Sequence, residues 1–224
     1  MYSEFPCALC GADCSGLICP GCDGDLPRLT STCARCGMPS HISVCIACLV
    51  KPPPWDCLVV PYSFAYPIDK IIHAFKYQGA LFWGSFLAGE IARHGHMLGI
   101  PLPEILIPVP AHPHRLAERG FNQAAELARG IGRALDIPVH TGAVARIGSH
   151  PPQVGLSASS RRTNVRGAFE VRSRGPARGR VAIVDDILTT GATAKELTRV
   201  LRRAGANQIQ VWVIARTPIL RGPR

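Results

Sequence analysis

The chain has 224 residues, 47% of them hydrophobic and 18% charged, with a formal net charge of +10. This composition is ordinary for a globular protein, and no uninterrupted apolar run approaches the roughly 20 residues that span a bilayer. The opening residues hold no basic n-region and no apolar h-region, so no secretory signal is expected and the cytoplasm is the expected compartment.

Cysteine dominates the start of the chain. Nine of the ten cysteines lie in the first 48 residues, and eight form CxxC pairs: Cys7/Cys10, Cys19/Cys22, Cys33/Cys36 and Cys45/Cys48. Adding 26 to each number of the first four gives the second four, and the text around them repeats too, CALCG…ICPGC against CARCG…VCIAC. This is a tandem repeat. Each copy is CxxC, eight residues, CxxC, the spacing of a small zinc ribbon whose two knuckles surround one Zn²⁺ with four thiolates. Gly11 and Gly37 suit the tight turn that aims backbone amides at the sulfurs.

The repeat favours sequential pairing, with one structural zinc on Cys7, Cys10, Cys19 and Cys22 and a second on Cys33, Cys36, Cys45 and Cys48. A crossed arrangement between the copies stays open. A disulfide framework would need an oxidising compartment, which nothing in the chain indicates. Cys14 aligns with Ser40 and is not expected to be a ligand; Cys57 reads as a core residue. So short a segment buries little apolar surface, so metal must supply much of its folding free energy.

Residues 1–57 hold three basic side chains (Arg28, Arg35, Lys51) against five acidic ones (Glu4, Asp13, Asp23, Asp25, Asp56), leaving 22 basic and 10 acidic side chains in the rest, a net of +12. The acidic balance of the ribbons favours protein docking or a structural role over phosphate binding. The basic remainder attracts polyanions, without indicating which.

The expected organisation is a double zinc ribbon over 1–50, a stiff proline linker at 51–54 and one α/β domain over 55–224. Residues 58–65 are strand-like. Ile68, Ile71, Ile72 and Phe75 recur at helical spacing, and another helix is expected from 81 to about 94. Residues 104–110 form a buried strand. Asn122 can cap a helix whose apolar face is Leu127, Ile131, Ala134 and Leu135. Strands at 181–184 and 208–214 complete an alternation that predicts a mainly parallel sheet.

The stretch VAIVDDILTTGAT, residues 181–193, carries the most chemistry. A buried strand leads to Asp185 and Asp186, then to a Thr/Gly loop and a helix. Adjacent carboxylates at the end of a parallel strand can accept hydrogen bonds from two ribose hydroxyls. Thr189, Thr190, Gly191, Ala192 and Thr193 would offer backbone N–H groups and hydroxyls to a phosphate at a helix N-terminus. The plain alternative is an acidic turn before a helix whose Thr193 and Glu196 form a capping box. Capping does not require two carboxylates and three threonines at this spacing. No GxxxxGK[ST] precedes the helix, and Gly130-Ile-Gly132 lies inside a helical pattern, so neither a Walker-type nor a dinucleotide site is expected.

The same stretch resembles the phosphoribosyl-pyrophosphate (PRPP) signature of type I phosphoribosyltransferases. Together with FKYQG (75–79), IPVPAHPHRLAERGFNQA (107–124), PPQVGLSASSRRTNVRGAF (151–169) and the cysteine ribbons, it resembles the ComF competence proteins over nearly the whole chain. The resemblance implies a type I phosphoribosyltransferase-like α/β fold, Mg²⁺ carried with PRPP, and a loop at 110–123 that holds pyrophosphate with Arg115 and Arg119. It also implies a mobile loop at 151–166 whose Arg161 and Arg162 close over the leaving group. Relatives usually carry a basic residue where this chain has His114 and Ala117, which predicts a weaker hold on pyrophosphate. Lys76 lies in the FKYQG motif without a chemistry of its own. His112, His114 and His150 lack ligand-spaced partners and stay outside the expected site.

Two functions follow as expectations. One is phosphoribosyl transfer, with Asp185 and Asp186 as the central residues. The other is implied by the resemblance: handling of incoming single-stranded DNA during natural transformation, alongside other competence-machinery proteins. Seven arginines between positions 161 and 180, against the single acid Glu170, suit a DNA backbone, but only Phe169 there offers a base-stacking ring. A metabolic transferase for a nucleobase, without a DNA role, is the alternative.

Overall fold

In this computed structural model, residues 5–147, 165–172 and 179–218 are described. The cysteine repeat comes first, with strands β1 (Phe5–Pro6) and β2 (Asp13–Cys14) and short helices α1 (Pro20–Gly24) and α2 (Ile46–Val50). Strands β3 (Cys57–Val59) and β4 (Tyr62–Ser63) follow, then helices α3 (Ile68–Tyr77) and α4 (Phe82–Met97) and strand β5 (Ile105–Pro108). Helices α5 (Pro113–Arg119) and α6 (Gln123–Leu135) lead to the antiparallel pair β6 (Val144–Arg146) and β7 (Phe169–Val171). Strand β8 (Gly179–Leu188), helix α7 (Ala192–Arg203) and strand β9 (Ala206–Arg216) complete the order.

The central sheet is parallel throughout, ordered β3-β9-β8-β5, with β4 also on β9. Its strands present two apolar rows because successive side chains alternate. Ala182, Val184, Trp212 and Ile214 pack with α3, α4 and α6. Val181, Ile183, Val211 and Val213 pack with Leu197 and Leu201 of α7 and with the β6–β7 pair. Each fully buried leucine or isoleucine in these layers contributes about 2 kcal/mol. Parallel strands gather their carboxyl ends on one edge, and that edge carries the acidic pair.

Several expectations change on packing. The run 58–65 is two strands, β3 and β4, because Pro61 cannot donate to the ladder. Strand β8 does not stop at Val184 but continues through both aspartates to Leu188, held by Asp185↔Val213, Ile187↔Ala215 and Leu188↔Arg216. The pyrophosphate stretch 110–123 contains helix α5 rather than only loop. Asn122 caps α6 as expected, its Oδ1 accepting the N–H of Ala124 at 3.1 Å, but Ala134 is exposed and the buried face is Ala124, Leu127, Ala128 and Ile131. No capping box forms on α7. Gly191 is the N-cap, and Glu196 turns away to the N–H of Gly167 at 2.8 Å and to Arg199.

The second cysteine copy docks on the sheet: the N–H of Leu58 donates to Ala34 O at 2.8 Å. The segment between the copies does so too, with Leu29 N–H on Pro61 O and Ser63 N–H on Pro27 O.

Candidate phosphate site and metal centres

Strand β5 ends at the pair Pro108↔Val184, so Asp185 and Asp186 stand just past the end of that neighbour while β8 continues along β9. Both aspartates are half-buried. Asp186 follows Ala182 and Val184 to the side of α3, where Lys76 Nζ lies 2.5 Å from its Oδ2. Asp185 Oδ1 accepts the N–H of Asp186 at 2.9 Å. Burial, and then repulsion from Asp186, push the Asp185 carboxyl up to about 7, against the pull of the Asp186 N–H, Lys76 and Arg115. Two adjacent carboxylates thus share one strong cation and one elevated proton affinity. The arrangement suits a ligand that brings hydroxyl donors or a cation.

The Thr/Gly loop follows directly. Gly191 has φ of 71°, and a Cβ there would come within 2.9 Å of the Trp55 ring, so a side chain is excluded both by conformation and by contact. Thr189 and Thr190 are exposed and Thr193 is half-buried. Thr190 Oγ1 accepts the N–H of Ala192 at 3.4 Å. Helix α7 begins here, so its N-terminal donors and dipole face the same edge as the aspartates.

The expected arginines fare differently. Arg115 is exposed on α5, close enough to the acidic pair to lower Asp185's proton affinity. Arg119 is already engaged: it donates to Tyr77 Oη at 2.5 Å and to Gln123 Oε1 at 3.1 Å, with its guanidinium 4.5 Å over the Tyr77 ring. Arg161, Arg162 and His150 lie outside the described residues. In sequence these two arginines fall between β6 and β7, whose ends are tied by Ile147 N–H on Ala168 O at 2.8 Å. His112 caps α5, its Nδ1 accepting the N–H of His114 at 3.2 Å.

Two four-cysteine groups assemble at the N-terminus, Cys7, Cys10, Cys19 and Cys22, then Cys33, Cys36, Cys45 and Cys48, each with sulfurs within 4.8 Å of one another. This is the sequential pairing, and the crossed one does not form. The repeat extends to individual hydrogen bonds. Cys19 N–H donates to Cys7 Sγ at 3.2 Å and Cys45 N–H to Cys33 Sγ at 3.3 Å. Gly11 and Gly37 take φ of 79° and 68° and donate to Cys7 O and Cys33 O. Cys14 and Ser40 each cap the carbonyl two residues on, Gly16 O and Ile42 O, so Cys14 is no ligand. Four convergent sulfurs with amide donors on them fit one tetrahedral ion per group. Cys57 is half-buried at the start of β3, its thiol pushed up to about 11 by burial.

A family model described as a phosphoribosyl transferase domain matches residues 116–224. Competence protein F of Haemophilus influenzae is 37% identical over 211 residues, covering 89% of this chain and 90% of that protein. The chain belongs to the ComF family. DNA utilization protein YhgH of Escherichia coli is 35% identical over 208 residues, covering 89% of this chain and 90% of its own length. Competence protein ComFC of Streptococcus pneumoniae is 24% identical over 214 residues, with 89% and 87% covered.

Three residues of this ComF chain join the site without having been expected there. Lys76 is the partner of Asp186. Arg146, at the end of β6, is half-buried with its guanidinium 5.6 Å from the Phe169 ring centroid, and burial and then the nearby Arg115 lower its proton affinity. It has no ion pair among the described residues, and its Nε is buried without a hydrogen-bond partner there. Arg216, at the end of β9, is buried beneath the Thr/Gly loop. Position within FKYQG marked Lys76 alone; no local pattern marks the two arginines. No helix among the described residues is long and apolar enough to cross a membrane.

Proposed function

We propose that this ComF chain binds Mg²⁺·PRPP at the carboxyl end of β8 and transfers the phosphoribosyl group to an acceptor. The observation that carries this reading is the meeting of Asp185 and Asp186, with Lys76 on the second, beside a Thr/Gly loop that opens a helix. The carboxylates accept hydrogen bonds from the ribose hydroxyls. The amides and hydroxyls of Thr189, Thr190, Gly191, Ala192 and Thr193 hold the 5′-phosphate. Arg115, Arg119 and Arg146 face the pyrophosphate, and Arg161 and Arg162 close over it. Mg²⁺ arriving with PRPP would sit beside Asp185 and Asp186 and would offset the charge that builds on the leaving group.

The bond from C1 to pyrophosphate breaks with its electron pair on the leaving group, and the acceptor's lone pair forms the new bond to C1. The protein supplies positioning and electrostatics. The two cysteine groups hold structural zinc.

The names of the relatives, competence protein F and DNA utilization protein, and the net +12 of residues 58–224 support a role on DNA; on this reading the chain handles incoming single-stranded DNA in the cytoplasm alongside competence-machinery proteins. Phe169, the single aromatic ring in the arginine-rich stretch, is 4% exposed and offers no stacking face. Contact with DNA there would run through backbone phosphates rather than base stacking; the alternative reading is a metabolic transferase for a nucleobase with no DNA role.

Calorimetric titration of Mg²⁺·PRPP into wild type and into the Asp185→Asn/Asp186→Asn protein tests the site. Binding to wild type that is lost in the double variant supports it; equal binding, or none to either, refutes it. For DNA, neutralising Arg161, Arg162 and Arg166 flattens the salt dependence of single-strand binding. An unchanged slope removes that loop from a DNA surface.

A further inference from the structure

We propose that Arg216 is a positioning residue of the phosphate loop, and that through it the second four-cysteine group controls the shape of that loop. This rests on the PRPP reading above.

Arg216 is 6% exposed, and its described partners are all carbonyls. Its Nε donates to Cys36 O at 2.9 Å, inside the second cysteine group. Its Nη1 donates to Leu188 O at 2.7 Å, to Thr189 O, and to Thr217 O at 3.0 Å. In a trans peptide the C=O and the following N–H point in opposite directions. Drawing the carbonyls of Leu188 and Thr189 inward therefore turns the N–H groups of Thr189 and Thr190 outward, where the phosphate is expected. No carboxylate pairs with Arg216 among the described residues, and a buried charge is costly unless paired. Its guanidinium thus bonds the backbone of the second cysteine group on one side and that of the Thr/Gly loop on the other.

A second link runs beside the first. Trp55 Nε1 donates to Arg35 O at 2.7 Å, and Arg35 Nη1 donates back to Trp55 O at 2.9 Å. The far edge of the Trp55 ring fills the space that a Cβ on Gly191 would need. Gly37 sits equally close: a Cβ there would come within 2.9 Å of Leu58 and 3.6 Å of Arg216 Cγ. The first group has no counterpart, since Cys10, the equivalent of Cys36, makes no hydrogen bond to the sheet among the described residues.

The test uses full-length wild type, Cys10→Ser, Cys36→Ser, Arg216→Lys and Arg216→Met. Mg²⁺·PRPP affinity and hydrogen–deuterium exchange over 188–192 are measured for each. Cys36→Ser keeps the backbone carbonyl that Arg216 binds, so its effect comes through the thiol and the metal that the thiol would hold. The expected loss of affinity in Cys36→Ser exceeds that in Cys10→Ser by about fivefold or more, with faster exchange over 188–192 only in the former. Arg216→Lys recovers part of the affinity lost in Arg216→Met.

Coupling is reciprocal, so Mg²⁺·PRPP also slows zinc release to a chromophoric chelator from the second group, read in the Cys10→Ser protein, by about fivefold. Adding Arg216→Met abolishes that protection and Arg216→Lys retains part of it, a pattern that a purely structural arginine would not produce. Equal losses from Cys10→Ser and Cys36→Ser, or ligand-independent zinc release, overturn the proposal. If wild type binds no Mg²⁺·PRPP, the PRPP reading fails by itself. Exchange then decides the linkage, and unchanged exchange in Cys36→Ser and Arg216→Lys overturns it.

Discussion

Lys76 Nζ of helix α3 lies 2.5 Å from Asp186 Oδ2 of strand β8, with both side chains largely buried. This contact turns two separate motifs, FKYQG and VAIVDDILTTGAT, into one site. It also explains how two adjacent carboxylates are tolerated at the end of a strand: one has a lysine, and the other has a raised proton affinity. Replacing the lysine leaves Asp186 buried beside Asp185 without a cation. Lys76→Met is expected to cost about 3 kcal/mol in denaturant unfolding near neutral pH, and Lys76→Arg much less. The same change raises the Asp185 proton affinity further, visible in carboxyl carbon NMR titrations. An unchanged Asp185 titration would dissociate the lysine from the acidic pair.

The pH dependence of ligand binding follows from Asp185. Its carboxyl is pushed up to about 7, from 3.8, by burial and then by Asp186. The folded protein holds this proton more tightly than the unfolded chain. The residue's contribution to stability is therefore greatest below the ordinary carboxyl value and declines as pH rises through about 7. Ribose hydroxyls need the ionised form. Mg²⁺·PRPP affinity should fall as pH drops below about 7, with proton uptake or release seen as buffer-dependent binding enthalpy. Asp186→Asn removes the like charge and frees Lys76, so it shifts this acid limb to lower pH. A limb that persists unmoved in Asp185→Asn belongs to the ligand's own phosphates instead.

The sequential pairing of the cysteines predicts about two zinc ions per chain. Cys10→Ser and Cys36→Ser should each lose one, by mass spectrometry under native conditions, and the double variant both. A single zinc in wild type would contradict the two separate groups of sulfurs.

Glu196 links α7 to the turn before β7. Its Oε1 accepts the N–H of Gly167 at 2.8 Å, its other oxygen accepts from Arg199 at 3.0 Å, and it is 8% exposed. Arg199 first, and then the Gly167 N–H, hold its carboxyl below the ordinary value of 4.5, against the effect of burial. Its stabilisation is therefore present above that value and lost as pH falls through the lowered one. Glu196→Gln should cost about 2 kcal/mol at neutral pH, because it loses the charge on its hydrogen bonds with Gly167 and Arg199. The cost should shrink in acid unfolding experiments; a pH-independent difference would assign the effect to packing alone.

The parts legible from the sequence are local. The cysteine repeat shows a period of 26 residues, and its ligand sets, glycine turns and the exclusion of Cys14 follow from aligning one copy with the other. The order of buried strand, two acids, Thr/Gly loop and helix is contiguous, and so is the alternation that makes the sheet parallel. Cap chemistry was less secure: Asn122 does cap α6, whereas Glu196 is drawn from Thr193 to the partners Gly167 and Arg199.

Tertiary structure decided the pairings between distant segments. Lys76 meets Asp186 because α3 packs on the face of β8 that carries Ala182 and Val184. Arg216 reaches the carbonyls of the Thr/Gly loop because β9, the last strand in sequence, runs beside β8, so that its final residue lies under Leu188. Trp55 and Arg35 bring the second cysteine group to Gly191, and nothing in the spacing of those residues foretells it. A single sequence records which side chains can carry charge or donate a hydrogen bond. Which of them lose water, and which partner replaces it, is decided by long-range packing, and the energies of buried charges depend on that choice.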